Sequence, residues 1–174
     1  MRRYSKNPAN VAARKKKKLT QRELWATFGL NMPSYRRYDG LKGVYWHVLS
    51  KYVRMRDFVT FGGKCISCPT VLEQWYQGDA GHYLAARDCG FGLLLDPMNV
   101  HLQCKRCNNP SWSPSASIAY GFELDRRYGN GTAQALYKRK GDMHKEWSQT
   151  EYDIKIREML GNIEALGVDN RISY

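Results

Sequence analysis

Two pairs of cysteines could hold a metal ion, since Cys65 with Cys68 and Cys104 with Cys107 both have the form Cys-x-x-Cys. Four thiolates in two such pairs match the ligand set of a closed, tetrahedral zinc site. We therefore expect one structural zinc ion, the alternative being reduced, buried thiols without a metal. Cys89 lies in a glycine-rich stretch and is expected to be a bystander.

The segment between and beside the cysteine pairs carries polar residues suited to phosphodiester hydrolysis, chiefly His82 and Asn108. A neutral imidazole can activate water near pH 7. A Mg²⁺ ion keeps most of its waters and can be held by only one or two protein oxygens. His82 is the candidate general base, the alternative being a histidine on a polar strand face. Asn108 is the candidate metal ligand, the alternative being a helix cap.

Three further residues belong to the candidate catalytic set. Asn99 is expected to brace the loop that carries His82, or else to be a turn residue after Pro97. Asp79 is a candidate to bind the divalent ion directly, to bind it through water, or to orient the site. His101 is a candidate second ligand, phosphate contact or structural hydrogen-bond partner.

Several elements are predicted to position these residues. Apolar residues recur along 41–56 with the 3.6-residue period of an amphipathic helix, and alternation over 99–103 indicates a strand with one apolar and one polar face. Thr20 and Glu23 form a capping-box pattern, and threonines are also predicted to cap the helices at 132 and 150. A turn is predicted over 58–64. Helices are predicted over 20–28, 41–56, 115–128, 132–140 and 150–166, and strands over 78–86 and 99–103.

The charge balance predicts a polyanionic partner, because 28 lysines and arginines against 16 acidic residues give a net charge of +12. Twelve tyrosines and five tryptophans add rings that can stack on unpaired bases. Basic side chains near the site or in the N-terminal arm are candidate nucleic-acid contacts, the alternative being simple solvation. They are Lys15, Lys16, Lys17, Lys18, Arg36, Arg37, Arg54, Arg87, Lys105 and Arg106.

The expected compartment is a reducing cytoplasm. The odd number of cysteines and their metal-like spacing argue against a disulfide framework. No apolar segment follows the basic N-terminus as in a signal peptide, and no run approaches the roughly 18 apolar residues of a membrane span. We therefore expect no membrane partner.

The arrangement of the polar residues resembles the ββα-metal, or HNH, nuclease fold. The likeness lies in His82 on a first strand, Asn99 before a second strand, and Asn108 directly after a cysteine pair. The stretch 79–82 is also similar to the D-R-G-H signature of non-specific ββα nucleases, in which the histidine is the general base. This chain departs at Ala80, and at Gly81, where most HNH proteins carry Asp or His.

A broader set of motifs between residues 46 and 140 resembles the phage recombination nuclease family called NinG or Rap. This likeness implies an endonuclease for branched DNA, including recombination junctions, that uses Mg²⁺ or Mn²⁺, in a phage or its bacterial host. The chain departs from the family's pattern in its lysine-rich arm and in 110–114. The motifs are Tyr52-Val53-Arg54-Met55-Arg56-Asp57, Cys65-Ile66-Ser67-Cys68, Ala80-Gly81-His82-Tyr83 and Asn99-Val100-His101-x-Gln103-Cys104-x-x-Cys107-Asn108.

Together these observations predict an α+β protein, mostly helical, with a small zinc-clipped HNH-like core. A basic arm and short helix are expected over 1–40, a helix plus the nuclease core over 41–145, and a helix docked on that core over 146–174. The expected function is metal-dependent DNA cleavage, for which a homodimer would suit a symmetric junction. The alternative is a zinc-clipped nucleic-acid-binding module without catalysis.

Overall fold

The computed structural model describes residues 19–109, 111–141 and 145–168, so the predicted lysine contacts at 15–18 lie outside the described residues. The chain divides into two compact units, Met1–Met32 and Pro33–Tyr174. In the first, helix α1 (Gln21–Ala26) begins after Thr20, as predicted, and ends before the expected Phe28. The Thr20 hydroxyl accepts the Glu23 N–H at 3.2 Å, and the Glu23 carboxylate accepts the Thr20 N–H at 2.8 Å. These two bonds satisfy donors that helix formation leaves unpaired.

Helix α2 (Gly40–Phe61) is the longest element and contains the predicted apolar stripe. Val44, Val48, Leu49 and Val53 are all buried. The predicted turn over 58–64 is wrong at its start, because the helix continues to Phe61 and ends only at Gly62, which adopts the left-handed φ of 62°. Glycine adopts this conformation without the steric penalty that other residues incur.

Two short strands form the sheet of the described chain. Strand β1 (Asp79–His82) pairs antiparallel with β2 (Val100–Gln103), with Gly81 opposite His101 and Asp79 opposite Gln103. Strand β1 is shorter than the predicted 78–86. Both faces of β2 are covered, since all its residues are buried. Between the strands lies the single-turn helix α3 (Phe91–Leu94), which is not among the helices predicted from the sequence.

Three helices follow the two-stranded ribbon that β1 and β2 form. They are α4 (Ala116–Tyr128), α5 (Thr132–Lys138) and α6 (Gln149–Ala165). The predicted caps of the last two are wrong. Gly131 caps α5, while the Thr132 hydroxyl donates to the Gly129 carbonyl at 2.7 Å. Ser148 caps α6 in place of Thr150, because its hydroxyl accepts the Glu151 N–H at 3.3 Å and the Glu151 carboxylate accepts the Ser148 N–H at 2.7 Å.

The core lies where these elements meet. The apolar face of α6, with Tyr152, Ile156, Met159 and Ile163 buried, packs on α2. A second cluster joins the first cysteine pair, the segment after β1, and helices α3 to α5; it consists of Ile66, Leu84, Leu93, Tyr120, Leu124 and Leu136. About half of the described residues are helical, so the α+β class is confirmed. Among those residues, no helix has the length and apolar character to cross a membrane.

Candidate functional site

The two cysteine pairs converge as the sequence predicted. The four sulfur atoms of Cys65, Cys68, Cys104 and Cys107 lie within 4.8 Å of one another, and the Cys68 and Cys104 sulfurs are 3.7 Å apart. Tetrahedral zinc with Zn–S bonds of about 2.3 Å places its sulfurs about 3.8 Å apart. The backbone N–H groups of Cys104 and Ser67 point at the Cys65 sulfur, at 3.3 and 3.5 Å. The cluster could therefore hold a metal such as zinc.

The thiols of this cluster differ in how easily they ionise. Burial raises the pKa of Cys65 to about 11 and also raises the pKa of Cys107. Burial opposes ionisation of Cys68 as well, but hydrogen bonds from Thr70 outweigh it and lower the pKa of that thiol to about 7. Because zinc binds thiolates, its uptake near neutral pH would release protons from Cys65 and Cys107.

His82 ends β1 with its ring held on two sides. Its Nε2–H donates to the Leu94 carbonyl of α3 at 2.9 Å, which leaves Nδ1 as the acceptor nitrogen. Trp46 of α2 stacks on the ring, with centroids 5.0 Å apart and planes 8° from parallel. Burial and, less strongly, the charge of Arg37 lower the pKa of His82 to about 4, although the Leu94 hydrogen bond opposes the shift. The imidazole is therefore neutral at pH 7.

Asn99 is fully buried and ties together the chain that follows His82. Its Oδ1 accepts the Leu84 N–H at 2.9 Å, and its Nδ2 donates to the carbonyls of Leu84 and Leu93 at 3.2 and 3.0 Å. These bonds connect the segment after β1 to the helical turn that presents the Leu94 carbonyl. Asn99 thus fixes the position of the group to which His82 donates.

Asp79 and Asn108 meet beside the ribbon. The Asp79 carboxylate accepts from Lys105 Nζ at 2.5 Å and from Asn108 Nδ2 at 3.2 Å. Asn108 is exposed, whereas Asp79 is partly buried. Since successive side chains alternate across a strand, residues 79 and 81 face one side of the ribbon and His82 the other.

Gly81 has no side chain, and this lets neighbouring side chains approach the strand backbone closely. A Cβ at this position would collide with Gln103 Oε1 and would lie 2.9 Å from Asn108 Oδ1. Tyr120 of α4 holds the strand here, since its hydroxyl donates to the Gly81 carbonyl at 3.0 Å. Two amide oxygens therefore converge at Gly81, the position at which the HNH proteins that the sequence resembles carry Asp or His. Gln103 is not among the site residues predicted from the sequence.

His101 lies in a buried polar network away from this space. Its Nδ1 is 2.8 Å from Arg56 Nη2 and 2.9 Å from the Asp57 carboxylate, and its Nε2 is 3.2 Å from the Met98 carbonyl. Burial lowers the pKa of His101, and the contacts of the ring with the Asp57 carboxylate and the Met98 carbonyl oppose that shift. Because the side chain has no solvent exposure, this position supports the structural hydrogen-bond alternative for His101.

The same network joins α2, β2 and α4. The fully buried Asp57 carboxylate accepts from the Leu102 N–H and from Arg56 Nε, each at 2.8 Å. The Arg127 guanidinium from α4 lies 4.0 Å from that carboxylate and 4.1 Å from the Phe61 ring centroid. Sequence reasoning missed these residues, although one signal was present: Asp57 follows Val53 by one helical turn and so places a carboxylate on the apolar stripe.

Two of the predicted nucleic-acid contacts lie beside the site. Arg37 is exposed, with its guanidinium 5.4 Å from the Trp46 ring centroid and its charge acting on His82. Lys105 is exposed and paired with Asp79. These two cations stand next to the two groups with candidate catalytic roles.

The other described basic candidates are spread over the surface. Arg36 pairs with Asp39 at 2.6 Å, and Arg54 lies 5.2 Å from the Trp75 ring centroid. Arg87 is exposed and 3.6 Å from Asp88, and Arg106 is exposed. The structure thus places these four on surfaces without joining them to the site.

The fold defines this chain as an α+β protein with a two-stranded ribbon and a four-cysteine cluster that could bind zinc. The family model described as Bacteriophage Lambda NinG protein matches residues 2–168. The chain belongs to this phage family. No curated protein and no solved structure matches it.

Proposed function

We propose that this chain is a metal-dependent DNA endonuclease of the HNH type, with β1, β2 and the Asn108 segment as its ββα-metal-like core. The observation that carries the proposal is the state of His82. A half-buried, neutral imidazole donates from Nε2 to the Leu94 carbonyl at 2.9 Å and keeps Nδ1 as an acceptor. A neutral imidazole with an acceptor nitrogen can take a proton from water.

In this mechanism, His82 Nδ1 takes a proton from water as the water oxygen attacks phosphorus. The Leu94 carbonyl stabilises the imidazolium that forms, because it accepts from the Nε2–H throughout. One P–O ester bond breaks, the leaving oxygen takes a proton from solvent, and the imidazolium returns its proton to solvent. Asn99 and Trp46 act indirectly by fixing the carbonyl and the ring, as their contacts with Leu93 and His82 allow.

The residues on the other side of Gly81 fit a hard divalent cation. Asp79 offers a carboxylate and Asn108 an amide oxygen, which are the donors that Mg²⁺ and Mn²⁺ accept. The Lys105 ammonium already lies 2.5 Å from Asp79 Oδ1, so this carboxylate binds a cation in the structure. A bound Mg²⁺ or Mn²⁺ would supply charge neutralisation at the phosphate.

DNA is the substrate that the charge and the family support. The net charge of +12 favours a polyphosphate partner, and Arg37 lies beside His82, where a phosphate backbone would pass. Tyr35 nearby in sequence is 82% exposed, which suits stacking on an unpaired base. Membership of the NinG family supports branched or partly single-stranded DNA in phage recombination, in the host cytoplasm and with a homodimer as the form for a symmetric junction.

The test is cleavage of linear, flapped and four-way DNA by zinc-loaded protein with Mg²⁺ or Mn²⁺. His82→Ala should lower the rate by about 10²- to 10⁴-fold, the usual contribution of a general base. His47→Ala is the matched control, since it removes an imidazole one residue from Trp46. Zinc content and DNA affinity should stay near wild type in both. Equal cleavage by His82→Ala would remove His82 from the mechanism.

A second candidate function is DNA or RNA binding without catalysis, which the charge of +12 and the four-cysteine cluster would also support. It predicts no cleavage of any of these substrates with either ion. It also predicts an affinity that falls steeply with salt concentration, because binding would release counterions from phosphates.

A further inference from the structure

Gln103 is a buried amide that faces the space left by Gly81. Its side chain is on the same ribbon face as Asp79, its direct partner in the strand register, and the residue is only 4% exposed. Its Oε1 occupies the position into which a residue-81 side chain would extend, and Asn108 Oδ1 is 2.9 Å from that position. The glycine therefore lets two amide oxygens approach the strand backbone from different parts of the chain.

The orientation of the Gln103 amide has a structural cause. Its Nε2 donates to the Ser67 hydroxyl at 2.7 Å, so the amide nitrogen is held at Ser67 and the oxygen is turned toward Gly81 and Asn108. Oε1 accepts no hydrogen bond from the part of the chain that the structure describes. An amide oxygen in a largely buried residue is normally satisfied by a donor, by water or by a cation.

Ser67 lies inside the first cysteine pair, and Gln103 immediately precedes Cys104. The group that orients the amide and the residue that carries it are therefore both fixed by the four-cysteine cluster. Asn108 follows Cys107 and is fixed in the same way, with its N–H donating to the Cys104 carbonyl at 3.1 Å. The cluster thus sets the positions of both amide oxygens.

We propose that Gln103 Oε1 is a ligand of the divalent cation, together with Asn108 Oδ1 and Asp79, and that it replaces the side-chain ligand missing at Gly81. This inference rests on the divalent site of the proposed function. Two neutral amides and one carboxylate leave the ion with net positive charge, which strengthens its attraction for phosphate. Ser67 is a positioning residue for this ligand.

Divalent binding is measured without DNA or catalysis, by titrating Mn²⁺ into the zinc-loaded full chain and following the free Mn²⁺ signal by electron paramagnetic resonance. Gln103→Ala should weaken Mn²⁺ binding by at least roughly tenfold, as loss of a metal-site partner usually does. Ser67→Ala should weaken it less, since the ligand stays but its orientation is no longer held. Gln134→Ala, which truncates an exposed amide on α5, should leave the affinity unchanged.

Gln103→Glu keeps an oxygen at the same place and should retain or tighten Mn²⁺ binding, which tests the ligand role even if the alanine variant folds poorly. Zinc content and circular dichroism identify folding defects. Wild-type Mn²⁺ affinity in Gln103→Ala, weak binding in Gln103→Glu, or no Mn²⁺ binding by the wild-type chain would each overturn the inference.

Parallel cleavage assays separate this inference from the proposed function. Cleavage by wild type together with an unchanged Mn²⁺ affinity in Gln103→Ala would keep the nuclease and reject the ligand. Mn²⁺ binding that depends on Gln103, in a wild-type chain that cleaves no DNA, would keep the ligand and reject the nuclease.

Discussion

The four-cysteine cluster and the oxygen group beside Gly81 differ in chemistry although they share chain segments. Three of the cysteines are buried, and four sulfurs close the first site on all sides. The second site has oxygen donors, an exposed asparagine and an ammonium on its carboxylate. Soft thiolates select zinc, whereas carboxylate and amide oxygens select Mg²⁺ or Mn²⁺. Ligand type would therefore keep zinc and the proposed divalent ion apart over a very short distance along the chain.

The comparison also indicates how the four-cysteine cluster could position the oxygen group beside Gly81. Gln103 precedes Cys104, Asn108 follows Cys107, and Ser67 precedes Cys68. Gln103, Asn108 and Ser67 are thus each adjacent to a cysteine of the four-cysteine cluster, whereas Asp79 is not. A closed metal site at the cysteines would give the oxygen donors a rigid frame, which a short two-stranded ribbon would not supply alone.

Removing a ligand from the four-cysteine cluster should have the largest effect on metal content and stability. Cys107→Ser should lose stoichiometric zinc and lower the free energy of unfolding by several kcal/mol, because zinc binding to such sites is itself folding free energy. Zinc content and thermal unfolding followed by circular dichroism provide the measurement, with Cys89→Ser as the control. A fully folded, zinc-free variant with normal Mn²⁺ affinity would show that the two sites are independent.

Filling the space at residue 81 should damage only the oxygen site. Gly81→Ala places a methyl group against Gln103 Oε1 and should weaken Mn²⁺ binding by roughly tenfold or more. The crowding should also cost about 1–3 kcal/mol of stability. Zinc content should remain that of wild type. Gly161→Ala on the exposed side of α6, where a Cβ meets nothing, is the matched control. Normal Mn²⁺ affinity in Gly81→Ala would contradict the ligand arrangement.

The pH dependence of cleavage should separate His82 from an ordinary histidine. Since burial lowers the pKa of His82 to about 4, the base stays neutral and the rate should not fall through its protonation between pH 8 and pH 5.5. Trp46→Ala exposes the ring to water, so its pKa should rise toward 6.5 and the rate at pH 5.5 should drop by about tenfold relative to pH 8.

Single-turnover rates at saturating Mg²⁺ give this pH profile, with zinc content checked at each pH. Trp112→Ala removes an exposed tryptophan and is the control. Its cleavage rate should depend on pH between 5.5 and 8 as the wild-type rate does. A wild-type rate that halves near pH 6.5 would contradict the buried, neutral state of His82.

Removing the Lys105 ammonium, which competes with the divalent ion for Asp79, should have the smallest effect on Mn²⁺ affinity. Lys105→Met takes an ammonium away from Asp79 and should tighten Mn²⁺ binding by about two- to fivefold, the range of an exposed ion pair. Lys138→Met on α5 removes the same charge at an exposed position and serves as the control in the Mn²⁺ titration. Weaker Mn²⁺ binding in Lys105→Met would mean that Asp79 does not bind the ion.

Features set by local chemistry could be predicted from the sequence. The cysteine spacing predicted the cluster, the apolar period predicted α2, and the Thr20 pattern predicted the start of α1. The start of α6 could not be decided locally, because Ser148 with Glu151 and Thr150 with Asp153 are overlapping capping patterns. Only the first pair forms the reciprocal hydrogen bonds.

Features set by distant side chains could not be predicted. Helix α2 continues past residue 58 because Phe61, in its last turn, packs against two residues of α4. The Phe61 ring contacts the Tyr128 ring, and the Arg127 guanidinium lies over the Phe61 ring. The space at Gly81 depends on Gln103 of the neighbouring strand, and the burial of His101 depends on the Arg56–Asp57 pair of α2. Each is a tertiary contact that residue type and spacing do not encode, and the catalytic roles remain predictions for the same reason.

The hydrogen bonds around β2 also have a consequence for solubility. Three backbone groups on the outer edge of this strand are occupied: the Val100 carbonyl accepts from Arg56, the Leu102 N–H donates to Asp57, and the Leu102 carbonyl accepts the Ile66 N–H. Unpaired strand edges are templates for association with other chains. Ile66 lies between Cys65 and Cys68, so removing a metal bound by the four-cysteine cluster would release this hydrogen bond and expose part of that edge. Loss of zinc should therefore lead to aggregation through strand pairing before it leads to a soluble unfolded chain.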